Sequence, residues 1–185
     1  MKLNLGCGYD KREGYVNVDA FPDGNPDVVC DLEKLPWIWE TNSVDGVLFS
    51  HSLEHMGQQS SLFLAIMKEL YRVCKNGAVV EINVPHPRHE NFINDPTHVR
   101  IITPALLALF DKKNNDEWKK SGISNSPFAH YLDIDFVLTE VETLLAEPYN
   151  QLFADGKMSG EELYVLMQER NNVASEYRIK LAVRK

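Results

Sequence analysis

The sequence has no apolar run approaching the roughly 20 residues that span a bilayer. Its opening stretch, MKLNLGCG, breaks its few apolar residues with Asn and Gly, where a secretory signal would keep a continuous apolar core. The three cysteines, Cys7, Cys30 and Cys74, form no C-x-x-C pair. They read as reduced thiols of a cytoplasmic protein rather than as a disulfide framework. Basic excess is also lacking: the net charge is −8, and the densest basic pairs, Lys11-Arg12, Lys112-Lys113 and Lys119-Lys120, each have acids nearby. Nucleic acid is therefore disfavoured as a partner, and a membrane is not expected. Without repeats, low-complexity tracts or linkers, the 185 residues read as one domain. A hydrophobic content of 44% is enough to give it a core.

What is present is an alternation of element types. LNL at 3–5, YVNVDA at 15–20, DVVCDL at 27–32 and the apolar VDGVLFS at 44–50 read as four strands. Over 58–74, Leu62, Phe63, Ile66, Met67, Leu70 and Val73 fall on one helical face, and Gly77 follows as a stop. AVVEINV at 78–84 is a fifth strand. Residues 85–98 read as a loop, and Thr103-Pro104 opens a short helix through Phe110. Residues 111–131 look polar and irregular. DFVLTEVETLL at 135–145 and the closing SEYRIKLAVRK are the last strands. Between them Ser159 and Glu162 make a capping box for a helix reaching about Asn171. Strands alternating with helices predict an α/β protein with a mostly parallel sheet.

Three successive strand ends carry chemistry. Gly6 and Gly8 follow the first strand, where bare backbone lets a ligand approach. Asp19 ends the second, where a carboxylate can accept both hydroxyls of a ribose. Asp31 ends the third, and with the backbone N–H of Leu32 it could read an adenine edge. Each feature alone is more often a turn than a ligand contact; the ordered set is far more specific. In an open α/β sheet these ends line one crevice.

The blocks LNLGCG, NVDA, CDLEKLPW, VDGVLFSHSLEH and LYRVCKNGAVVEINVP, in order over residues 3–85, resemble the class I S-adenosylmethionine-dependent methyltransferases. The resemblance implies a Rossmann-like, mostly parallel seven-stranded sheet whose last strand is antiparallel. It implies S-adenosylmethionine as cofactor. The cofactor contacts it implies are Asn4, Gly6 and Gly8, Asp19, Asp31 with Leu32, and Ser50 with His51 beside the transferred methyl. The stretch SHSLEH also spells H-x-x-E-H through His51, Glu54 and His55, a pattern known from zinc peptidases. Gly57 leaves little helix to hold such a pair, and no third ligand follows at a recognisable spacing. No metal is expected, and His55 reads as a capping or packing residue.

The sequence departs from that family in places. Only residues 9–14 and 20–26 connect the first three strands, too few for crossover helices. The third glycine is missing, since Tyr9-Asp10 follow Gly8. The short connections predict a thinly covered sheet face, to be covered by the helix near 159–171 or by a second copy in a homodimer. Residues 85–131 are expected to form a substrate lid within the single domain 1–185. His86, His89 and His98 are its candidate bases, and Arg88, Asn94 and Arg100 its candidate substrate contacts. Analogy with compact methyltransferases suggests a small, sugar-like hydroxylated acceptor. The alternatives are a cofactor-binding protein without turnover and, ranked below it, a zinc hydrolase using HSLEH.

Overall fold

The computed structural model describes residues 1–185. Strands β1 (Lys2–Leu5), β2 (Val16–Asp19), β3 (Val28–Val29), β4 (Val44–Ser50), β5 (Cys74–Pro85), β6 (Phe136–Leu145) and β7 (Ala174–Val183) form one sheet in the order β3-β2-β1-β4-β5-β7-β6. The pairs from β3 to β5 are parallel, and β7 runs antiparallel to both β5 and β6. This is the expected mostly parallel sheet with an antiparallel last strand. Helix α1 (Ser60–Val73) crosses from β4 to β5, and no helix joins β1 to β2 or β2 to β3. A 3-10 turn at Pro22–Gly24 is the only helical piece there.

Strand alternation makes the two faces of the sheet different. One row runs Val16, Leu3, Val47, Val80, Leu181, Leu138 through successive partners. Phe63, Ile66, Met67, Leu70 and Val73 of α1 join that side in one apolar core. The neighbouring row runs Asn17, Asn4, Leu48, Glu81, Lys180, Glu140. It is polar along most of its length, and Lys180 pairs with Glu140 at 2.8 Å across β7 and β6. This corrects the expectation that the second face needs an apolar cover. Charged side chains solvate its β5–β7–β6 part, while the amides of Asn4 and Asn17 are buried beneath loop 9–14. Short loop 9–14 folds back onto it, with Asn4 Nδ2 donating to the Asp10 carbonyl at 2.9 Å and Arg12 N–H donating to Asn17 Oδ1 at 2.7 Å.

The remaining helices are α2 (Glu90–Ile93), α3 (Pro104–Ala108), α4 (Lys112–Lys120), α5 (Phe128–Leu132), α6 (Tyr149–Ala154) and α7 (Gly160–Glu169). Residues 111–131, read as irregular, thus contain α4 and α5. Helix α7 begins at the predicted capping box, with Ser159 Oγ accepting from Glu162 N–H and Glu162 accepting from Ser159 N–H. Its Tyr164 and Met167 share a hollow with His86, Arg88 and Tyr177, on the β5–β7 side. It therefore does not cover β1–β3, and the apolar reason for expecting a second copy there is gone too. No helix is long and apolar enough to cross a membrane.

Between β3 and β4 the chain uses tryptophans where a helix would stand. Trp37 and Trp39 are buried and meet edge to face at 6.0 Å. Trp37 Nε1 donates to the Leu32 carbonyl at 2.9 Å. On α1, Glu69 accepts from Trp37 N–H at 2.6 Å, while Arg72 bonds both Glu69 oxygens and the Trp39 carbonyl. The Arg72 guanidinium, more than the Trp37 N–H, holds the Glu69 carboxyl below its ordinary range.

Two outcomes follow from these contacts. Trp37→Ala should cost about 3–5 kcal/mol in urea unfolding, because it removes a buried ring and leaves a cavity; a loss near zero would show that the loop does not support the core. Asp27 accepts from Asn17 N–H, Asn17 Nδ2 and Lys11 Nζ, and these bonds lower its carboxyl from 3.8 to about 2, the Asn17 N–H contributing most. A depressed folded value stabilises the fold above the unfolded value of 3.8, and that contribution is lost as pH falls through about 2. Carboxyl NMR titration of Asp27 should give a midpoint near 2. An ordinary midpoint would mean these bonds are not formed in solution.

Candidate active site

At the carboxyl ends of β1, β2 and β4 lies a cavity of about 640 Å³. Its walls include Gly6, Gly8, Asp19, Asp31, Leu32 and His51. These six of its fourteen lining residues are ones the sequence singled out, each at or just after the end of a parallel strand on the same edge. Ser52, His55, Met56, Phe21 and Thr97 also line it. Of these, Phe21, Ser52, Met56 and Thr97 were not singled out by the sequence, and His55 was read there as a capping or packing residue.

Gly6 turns with φ +72° and lies directly against the β4 end. A Cβ there would stand 2.5 Å from Ser52 Cβ. Ser52 Oγ donates to the Leu5 carbonyl at 2.6 Å, which fastens the two strand ends together. The Asp19 carboxylate is aimed by two backbone donors, Gly8 N–H at 2.8 Å and Phe21 N–H at 2.9 Å. Each oxygen keeps further lone-pair capacity for a diol. Asp31 caps its own turn by accepting from Glu33 N–H at 3.0 Å. Leu32 N–H donates to no protein acceptor, so a donor is left at the place an adenine ring would use. This set fits a nucleoside: carboxylate for ribose, carboxylate and free N–H for the base, and bare glycine backbone between.

The β4 end carries backbone strain. His51 has φ +53°, a left-handed conformation uncommon for a side chain of its size. Its Nε2 meets Glu176 Oε2 at 3.0 Å, and its Nδ1 stands 3.7 Å from Glu54 Oε1. Glu54 first, then Glu176, raises the imidazole above its ordinary value against the opposing effect of burial.

Residues 8–82 match the model of a methyltransferase domain family. The match spans less than half of the 185 residues and marks this stretch as similar to a methyltransferase domain. No curated protein matches the sequence. Among solved structures, an S-adenosylmethionine-dependent methyltransferase from Archaeoglobus fulgidus is 20% identical, with TM-score 0.61 over 98% of this chain and 85% of that one. A putative S-adenosylmethionine-dependent methyltransferase from Listeria monocytogenes is 16% identical, with TM-score 0.54 over 100% and 91%. A structure described as the [4+2]-cyclase SpnF is 14% identical, with TM-score 0.54 over 99% and 75%. At such identities the likeness is one of fold.

S-adenosylmethionine is the cofactor of such a domain, and the cavity has the donors and acceptors for its nucleoside end. When bound, it supplies an electrophilic methyl group. Asp19, Asp31 and Leu32 would hold its nucleoside end, and His51 lines the same cavity at the β4 end.

Several predicted site residues lie elsewhere. Asn4 is buried beside loop 9–14 and does not line the cavity, and neither does Ser50. His86 is buried against Tyr177, at 4.8 Å between ring centroids. His89 caps α2, its Nδ1 accepting from Asn91 N–H at 3.1 Å. Arg88 and Asn94 are exposed away from the cavity. Arg100 donates to the carbonyls of Gly57 and Gln58 and stacks over Phe63, so it works as a tether. His98 is brought beneath the site, next to Glu54.

Asp19→Ala should weaken S-adenosylhomocysteine binding by about tenfold or more in isothermal titration, since two charge-assisted bonds are lost. Unchanged affinity in a folded variant would remove Asp19 from the ribose role.

Proposed function

We infer that the protein transfers a methyl group from S-adenosylmethionine to a small hydroxylated acceptor, of sugar-like character, held under residues 85–131. The observation that carries this reading is Thr97. It comes from that segment, lines the cofactor cavity, and accepts a hydrogen bond from His55 Nδ1 at 2.9 Å. The segment is thereby tied to the reacting side of the cavity, as a lid over an acceptor would be. Its backbone is tied as well, with Val99 N–H and Arg100 N–H both donating to the Glu54 carbonyl. The rim around Thr97 offers His51 and His55, and imidazoles suit a hydroxyl acceptor better than an apolar one.

Holding acceptor and cofactor in line contributes roughly 7–11 kcal/mol, and a base adds roughly 10²–10⁴-fold. Positioning therefore dominates, and loss of one histidine should slow turnover without abolishing it. His86 and His89 are not proposed as bases, because neither lines the cavity and Nδ1 of each accepts a backbone N–H, from Arg88 and Asn91.

A second reading, cofactor binding without turnover, is favoured by one observation: neither Arg88, Asn94 nor Arg100 reaches the cavity. Turnover against a panel of hydroxylated metabolites, read as S-adenosylhomocysteine release, separates the two. Methylation of at least one polyol or sugar is expected. Binding of S-adenosylhomocysteine with no turnover on any acceptor would favour the second reading.

A further inference from the structure

Glu54 is fully buried in the turn after β4, and both its carboxylate oxygens are without a hydrogen-bond donor. A buried carboxylate left so is costly, and native interiors rarely tolerate one. The groups around it sharpen the question. His98 Nε2 stands 4.0 Å from Glu54 Oε1, too far for a hydrogen bond. The other nitrogen of that ring, Nδ1, bonds the Phe92 carbonyl at 3.0 Å. A carbonyl only accepts, so Nδ1 carries the proton, and Nε2 of the neutral ring presents a lone pair to the carboxylate.

His55 repeats the arrangement. Thr97 Oγ1 gives its proton to Asp95 Oδ1 at 2.6 Å, and so accepts from His55 Nδ1 at 2.9 Å. Nε2 of the neutral His55 ring is then a second lone pair. The His55 and His98 rings lie 4.6 Å apart between centroids. One ligating atom each from Glu54, His55 and His98 falls within 4.8 Å of the others. One nitrogen of each imidazole and one Glu54 oxygen gather here, His51 Nδ1 stands 3.7 Å from the same Glu54 oxygen, and both imidazoles of the cluster give an N–H to an oxygen behind them. That is the pattern of metal-ligating histidines fixed by oxygen acceptors behind them. Two imidazoles and one carboxylate suit a divalent first-row transition ion with open positions for exogenous oxygen.

We propose that Glu54, His55 and His98 bind a divalent transition-metal ion of the zinc, iron or manganese class at the acceptor side of the cofactor cavity. Sequence spacing pointed to His51 and His55 as the pair and found no third ligand. The fold uses His51 to bridge Glu54 and Glu176, and brings His98 from the loop after β5. Closing the ligand distances takes a rotation of exposed His55 together with a smaller approach of His98 to Glu54, which now stand 4.0 Å apart. His55 also lines the cavity, so the open positions face the acceptor. The role rests on the methyltransferase reading above: the ion would bind the acceptor hydroxyl and lower its pKa, so that its proton passes to solvent water as the oxygen–methyl bond forms and the sulfonium–methyl bond breaks to leave S-adenosylhomocysteine. The site itself does not depend on that reading.

The test is zinc binding to chelator-stripped full-length protein by isothermal titration, beside the His55→Ala and His98→Asn variants. Asn keeps a donor for the Phe92 carbonyl and removes the Nε2 ligand, and exposed His55 can be truncated without opening the core. One zinc per chain is expected, weakened at least about tenfold in each variant, with visible d–d bands when cobalt replaces zinc. S-adenosylhomocysteine binding should persist in His98→Asn. No zinc binding, or binding unchanged in both folded variants, would overturn the site and leave a protonated His98 as the partner of Glu54. Zinc binding as described, without S-adenosylhomocysteine binding in the wild type, would uphold the site and refute its role in methyl transfer.

Discussion

The contact between Gly6 and Ser52 holds the working end of the molecule together. A parallel sheet places its strand ends side by side, but it does not decide how near their turns approach. Here the turn after β1 and the turn after β4 touch, because residue 6 has no side chain and Ser52 Oγ reaches back to the Leu5 carbonyl. The glycine turn then faces Asp19 on one side and the HSLEH turn on the other. A side chain at Gly6 would push the two apart and separate the nucleoside end of the cavity from its reacting end.

The second constraint is economy of layers. The protein keeps one helical face and solvates the other. The longer strands alternate accordingly, and amides and charges such as Asn4, Asn17, Glu81, Lys180 and Glu140 take many of the places that aliphatic residues would fill under a second helical layer. Removing the helices after β1 and β2 costs little apolar burial for this reason. The glycine turn still needs support, and it comes from polar contacts: Asn17 and Asp27 hold loop 9–14, while the turn at Pro22–Gly24 backs onto Gly8 closely enough that a Cβ on Gly24 would overlap the Gly8 carbonyl.

The strands along the chain and the cavity-lining residues Gly6, Gly8, Asp19 and Asp31 at their ends were legible because each is a local pattern: an apolar run, then a residue of the right type at its end. Helix α4 was not, because KKNNDEWKK has no apolar stripe. Its signals are the Asp111 cap, which accepts from Lys113 and Asn114 N–H, and the buried Asn115, whose amide serves Leu109 and Ala129. The acceptor side was least legible. Composition alone suggested His86, His89, Arg88, Asn94 and Arg100, and the fold spends them on packing, caps, tethers and exposed surface. The approach of His98 to Glu54 depends on how the chain returns after β5, which no spacing along the sequence encodes.

The brevity of β3 bears on how the molecule breathes. Its two residues make the outermost pairing of the sheet, and beyond them the ribose and adenine walls are turns. Amide hydrogen exchange senses the free energy of such local openings, which is smallest where few buried apolar contacts must part. The part of the cavity around Asp19 and Asp31 is therefore expected to open more readily than β4, β5 and α1, which hold much of the buried apolar core. A ligand gripping Asp19 and Asp31 at once would staple that part to the core, so occupancy and local order rise together.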